Sequence, residues 1–260
     1  MSYGKVDAGS GLGWLTEAIG LVFKNPVAFL VMGLIMAVIN LVPILGGLAL
    51  TILGPAFLGG IVFAAREEAE GRKAEIPHLF RAFQEPGKIG QMLLLCLPSI
   101  VGGAILLVCG LVFGLGALIS GGLSAANGTA VGWGAIGGGV VVMGLIAIVL
   151  TFVIYALQFF AVPRVMLESA EPFAAMKESL EACLASVGAF LLFGIILFVA
   201  FFVLAIVLMI VPFIGWLALI AFASAVFACA EFVAWRQVYA GSSNRIPPPA
   251  PEAGAPPAQG

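Results

Sequence analysis

A single carboxylate, Glu231, stands inside the apolar segments of this 260-residue chain. A carboxylate within a membrane span is costly to bury, and such groups often mark proton or substrate paths. A second reading rests on position. Arg236 follows five residues on, roughly 7.5 Å at the standard helical rise, so Glu231 could reach the headgroup region or pair locally. Three amides accompany it. Asn40 falls near one end of its apolar run, and Gln91 and Gln158 fall near the opposite end of theirs. Side chains of this kind serve as interhelical hydrogen bonds or as solute ligands. Pro55 and Pro98 lie within apolar runs and are candidate helix kinks, because proline removes a backbone donor.

Other chemistry is sparse. His78 is the sole histidine, without a carboxylate or cysteine arrangement resembling a metal site. Cys96, Cys109, Cys183 and Cys229 are far apart and form no CxxC pair, so they read as free thiols. The glycine pairs Gly110/Gly114 and Gly134/Gly138 have the spacing that lets membrane helices approach closely, not that of a phosphate loop. No paired carboxylates and no Ser-His or Cys-His arrangement stand out. The expectation is a non-catalytic protein with no metal and no cofactor.

The elements that hold these residues are helices in lipid. Hydrophobic residues make up 62% of the chain and charged residues 9%, with a mean hydropathy of +1.20. A water-soluble domain carries about a quarter charged residues, so the solvent here is the bilayer. From Ile89 to Pro163 there is no Asp, Glu, Lys or Arg. The formal net charge of −2 argues against nucleic acid as a partner. The short polar start predicts no cleaved signal peptide.

A span needs roughly 17–25 residues. The apolar runs predict an all-α polytopic protein of about six transmembrane helices, in a single domain over 1–240. They form three hairpins, at about 26–65, 89–163 and 187–235. The tips are Val42–Gly47, the small-residue loop Ser120–Gly134, and Val211–Trp216. All 11 basic residues lie at the open ends of the hairpins or in the termini. The positive-inside rule then puts both termini in the cytoplasm. Trp14 and Trp235 are expected to mark the near interface, and Trp133 and Trp216 the far one.

Each hairpin has an amphipathic prelude, at about 11–24, 77–85 and 172–186. In the first, Trp14, Leu15, Ala18, Ile19 and Val22 share a face opposite Glu17 and Lys24. Such helices are expected to lie in the interface plane, apolar face toward lipid. The segment Val42-Pro43-Ile44-Leu45-Gly46 lines up with Val211-Pro212-Phe213-Ile214-Gly215, and Val27–Leu30 with Gly188–Leu191. These matches predict three same-direction repeats about a pseudo-threefold axis. The tail 241–260, rich in Pro247–Pro249, Pro251, Pro256 and Pro257, is expected to be disordered.

Further motifs carry a resemblance: Gly4–Gly9 with Trp14-Leu15, Asn25-Pro26, Gly54-Pro55 with Gly59-Gly60, Arg66-Glu67 with Gly71-Arg72, His78-Leu79-Phe80, Val162–Met166, Ser179-Leu180 and Ala182–Leu184. Over about residues 4–240 the chain resembles a family of uncharacterised six-span inner-membrane proteins of proteobacteria. That family is broadly related to the membrane domain beside some glycerophosphodiester phosphodiesterases. The resemblance implies the cell inner membrane and the six-span topology but no activity, and the chain has no phosphodiesterase module. Two functional readings stand. The favoured one is a scaffold or accessory protein that contacts other membrane proteins as well as the bilayer. The alternative is a small transporter or lipid-handling protein with a site between hairpins. The sequence leaves the homo-oligomeric state open.

Overall fold

The computed structural model describes residues 4–127, 133–208 and 211–243. The proline-rich tail from 244 onward, the Gly128-Thr129 part of the central tip, and the Trp133 side chain lie outside the described residues. The described chain is all α and polytopic. Its helices are α1 (Ser10–Lys24), α2 (Pro26–Asn40), α3 (Leu45–Ala69), α4 (Arg81–Gln84, after a 3-10 turn at Ile76–Phe80), α5 (Lys88–Leu94), α6 (Leu97–Ala126), α7 (Trp133–Gln158), α8 (Ala161–Glu168), α9 (Pro172–Ala185), α10 (Val187–Leu208) and α11 (Pro212–Ser243).

Five stretches are long and apolar enough to cross a membrane: 45–69, 88–116, 139–168, 187–206 and 214–239. A sixth exists only if α1 and α2 count as one span bent by 104°. The expected first span, 26–45, is thus shorter than a full crossing, because α2 ends at Asn40 after 15 residues. The bend has a local cause. Pro26 cannot continue α1, and the residue before a proline is pushed out of the helical region. Asn25 accordingly has φ −140°, accepts from the Ala28 N–H, and donates to the Ala74 carbonyl at 2.8 Å. The central connection is also shorter than expected, since α6 runs on through Ser120–Gly122 to Ala126.

The preludes pack on neighbouring helices through much of their apolar faces, while Phe80, Phe83 and Phe173 stay exposed. Trp14, Leu15, Ala18, Leu21 and Val22 of α1 are buried against α10 and α11. The 3-10 turn and α4 pack on α2 and α3, and α9 packs on α7 and α8. Each prelude therefore covers the hairpin before it, with α1 closing the ring on the last one. Trp14 and Trp235 are correspondingly core residues, at 1% and 7% exposed, instead of interface anchors. Trp14 Nε1 donates to Gln237 Oε1 at 2.6 Å, and Trp235 Nε1 to Glu168 Oε1 at 3.0 Å. Trp216 stays exposed at the far end.

The break between α7 and α8 turns two consecutive rings, Phe159 and Phe160, into the centre of this end, edge to face at 4.9 Å. Trp14, Phe193 and Phe227 close around Phe159. The charged end is then stitched by ion pairs. Arg164 is buried between Glu168 and Glu178, with its guanidinium 5.0 Å over the Tyr239 ring. Lys88 donates to the Val165 carbonyl at 3.1 Å and the Ser169 hydroxyl at 2.7 Å. Close packing of α2 on α11 needs Gly33, where a β-carbon would run into the Ala221 carbonyl.

Candidate functional site

The second helix of each hairpin contributes one wall of a groove of about 420 Å³. From α3 come Gly47, Leu50, Thr51, Gly54, Pro55 and Leu58, spaced i, i+3, i+4, i+7 as one helical face. From α7 come Thr151, Ile154, Tyr155 and Gln158, again one face, and from α11 Phe227 and Glu231, one turn apart. Asn40 closes the far end, and Ser99 and Val162 line the rest. The α3 stripe alone extends roughly 16 Å along the helix axis.

Glu231 is 1% exposed, and its Oε2 is buried with no hydrogen-bond partner among the described residues. It does not reach the surface, because α11 continues to Ser243 and its flanks are packed. Nor does it pair with Arg236, whose guanidinium bonds to Glu17 of α1 and lies 5.6 Å from the Phe232 ring centre. A buried carboxylate without a protein partner carries a large desolvation cost, met by a proton, by a bound cation or by water held in the groove.

The other sequence candidates separate. Gln158 lines the groove but is engaged: its amide donates to the Leu95 carbonyl at 2.7 Å and the Ser99 hydroxyl at 3.0 Å. It thereby ties α7 to the break between α5 and α6. Asn40, the last residue of α2, is exposed on the groove rim. Gln91 is half-buried on α5 and does not line the groove. Pro55 sits within α3 and lines the groove, and it removes the N–H that would bond the Thr51 carbonyl one turn back. Pro98 stands in the first turn of α6, where its missing N–H costs little, so it starts a helix instead of kinking one.

Tyr155, Thr51, Thr151 and Ser99 were not singled out from sequence. The signal was present in part: Thr151, Tyr155 and Gln158 are the polar residues of one α7 face, at i, i+4 and i+7. Tyr155 and Phe227 stand edge to face with ring centres 5.7 Å apart. Outside the groove, His78 Nδ1 accepts from the Glu75 N–H, an ordinary turn cap. All four cysteines are free thiols. Among the described residues no three His, Cys, Asp or Glu side chains gather as a metal site would require. Comparison with protein-family models, curated proteins and solved structures returns no match for this chain.

Proposed function

We propose that the chain is a small membrane-embedded solute-binding protein, a transporter or lipid handler, whose site is the groove between α3, α7 and α11. The observation that carries this reading is Glu231, an acid held without a partner on the wall of a cavity. Proteins place such groups where a ligand or proton completes them, and structural acids are normally hydrogen-bonded. Convergence of one helix from each hairpin on a single cavity supports it further, because sites in repeat-built transporters lie at the repeat interface. A cavity of this size is within the roughly 300–1,000 Å³ range of small-molecule pockets. This reading is preferred to the scaffold reading favoured from the sequence, which gives no account of a buried acid on a cavity wall.

The distribution of the 11 basic residues supports a cytoplasmic placement of both termini and of the charged end. The resemblance over residues 4–240 supports the bacterial inner membrane. The test is purification of the full chain from native membranes in mild detergent, with mass spectrometry of bound proteins, lipids and solutes. The expected result is a small molecule retained by the native chain and lost in Glu231→Gln. A stoichiometric protein partner retained equally by both forms, with no small molecule in either, would return the scaffold reading.

A further inference from the structure

We propose that the groove takes an amphiphilic organic cation, a hydrophobic amine or quaternary ammonium, that enters sideways from the bilayer. This rests on reading the groove as a solute site and adds the class of ligand and its route.

The charge follows from the wall. Among the described residues, Glu231 is the one ionisable carboxylate on the groove, and no Lys, Arg or His lines it. An anion would meet repulsion there and gain no ion pair. A hard divalent metal asks for six or more oxygen ligands in a tight shell, whereas one carboxylate and scattered hydroxyls spread along the groove offer no such cage. A soft, weakly hydrated organic cation asks for less. It is satisfied by one carboxylate and by aromatic faces, which attract cations through the ring quadrupole. Phe227 lies one turn from Glu231 on the same face of α11, and Tyr155 stands against Phe227 from across the groove. The acid and both rings thus line neighbouring stretches of the cavity wall.

The apolar tail follows from the rest of the wall. Leu50, Leu58 and Ile154 line the groove, and the Gln158 amide is already spent on Leu95 and Ser99. The route follows from the rim. Thr151 and Tyr155 are exposed, Tyr155 at 47%, and both sit inside the stretch 139–168 that is apolar enough to span a membrane. An opening at that level meets acyl chains.

The test uses the full chain in nanodiscs of zwitterionic lipid, with radiolabelled dodecyltrimethylammonium as the probe and empty nanodiscs as background. Bound probe is counted after rapid gel filtration, with dodecanol as the uncharged competitor of equal tail length. The expected result is saturable binding that dodecanol displaces poorly. Affinity should fall at least about thirtyfold in Glu231→Gln, as for a desolvated charge pair. It should fall roughly three- to tenfold in Tyr155→Leu, as for a lost cation–ring contact. Glu17→Gln, which removes a surface acid, should leave it unchanged. Dodecanol competing as well as the cation, or full binding in Glu231→Gln with Tyr155→Leu also unaffected, overturns the cation proposal and leaves a solute groove standing. Absence of saturable binding by either amphiphile overturns the groove as their site altogether.

Discussion

The charged end of the molecule and the far halves of its central and third hairpins are built to different rules. In the most apolar 18-residue stretch of α11, 61% of residues are buried, and 56% in that of α3. The corresponding figures are 6% for the α7 span, 17% for α10 and 22% for the α5–α6 span. The least buried helices are also the most apolar. A water-soluble protein would show the reverse order. In lipid, a helix with leucine, valine and isoleucine all around needs no protein neighbour, while a helix with glycines, alanines and polar groups on one face must find one. The packed end is therefore where the sequence departs from uniform hydrophobicity; the acid lies there, and the groove runs from it toward Asn40 at the tip of the first hairpin.

The contrast can be broken most severely by removing a ring. Phe159→Ala empties the aromatic centre of the packed end and should cost about 3–5 kcal/mol. Phe198→Ala, on an α10 side chain that is 71% exposed, should stay within about 0.5 kcal/mol. Chemical denaturation of both variants in one detergent measures this, and equal losses would dissolve the distinction between the two regions.

A smaller effect comes from adding one methyl group. Gly33→Ala drives a β-carbon into the Ala221 carbonyl and should destabilise by about 1–3 kcal/mol. Gly103→Ala meets open space on α6 and should be neutral or gain up to about 1 kcal/mol in helix propensity. Thermal melts followed by circular dichroism give both shifts. A neutral Gly33→Ala would mean that α2 and α11 are not in close contact.

The gentlest probe is thiol labelling. Cys183 on α9 is buried, and burial pushes its thiol well above the ordinary range. Its thiolate therefore stays scarce even near pH 9, where an ordinary free thiol is largely ionised. A membrane-permeant maleimide should spare Cys183 in the folded chain across this pH range and modify it once the chain is unfolded in denaturant, as read by peptide mass mapping. Labelling of Cys183 in the folded chain at the unfolded rate would show that the packed end opens readily.

How much of this was legible in the sequence depends on what each residue needed. Helical class and span placement follow from uninterrupted apolar runs, because lipid forces backbone hydrogen bonds to close locally. The break after α1 was legible from Asn25-Pro26, since it is a local steric event. The burial of Trp14 was not, because an amphipathic helix has the same pattern whether its apolar face meets acyl chains or α10 and α11. Glu231 was visible as an oddity, but its isolation depended on where Arg236 points, and Arg236 chose Glu17 from the other end of the chain. The groove was least legible. It is lined by α3, α7 and α11, whose meeting depends on tertiary packing, and its aromatic partner Tyr155 looks like any other residue of an apolar run.

The central claim is that Glu231 is held unpartnered for a ligand and contributes nothing to the fold. The most direct measurement is the unfolding free energy of Glu231→Met, which keeps the side-chain volume and removes both oxygens, against the native chain, both ligand-free in the same detergent. Removing a buried, unsatisfied acid should stabilise the protein by about 1–3 kcal/mol, the usual sign of a residue kept for function at the expense of stability. A loss of similar size would show that the carboxylate supports the packing around it, and would contradict the account.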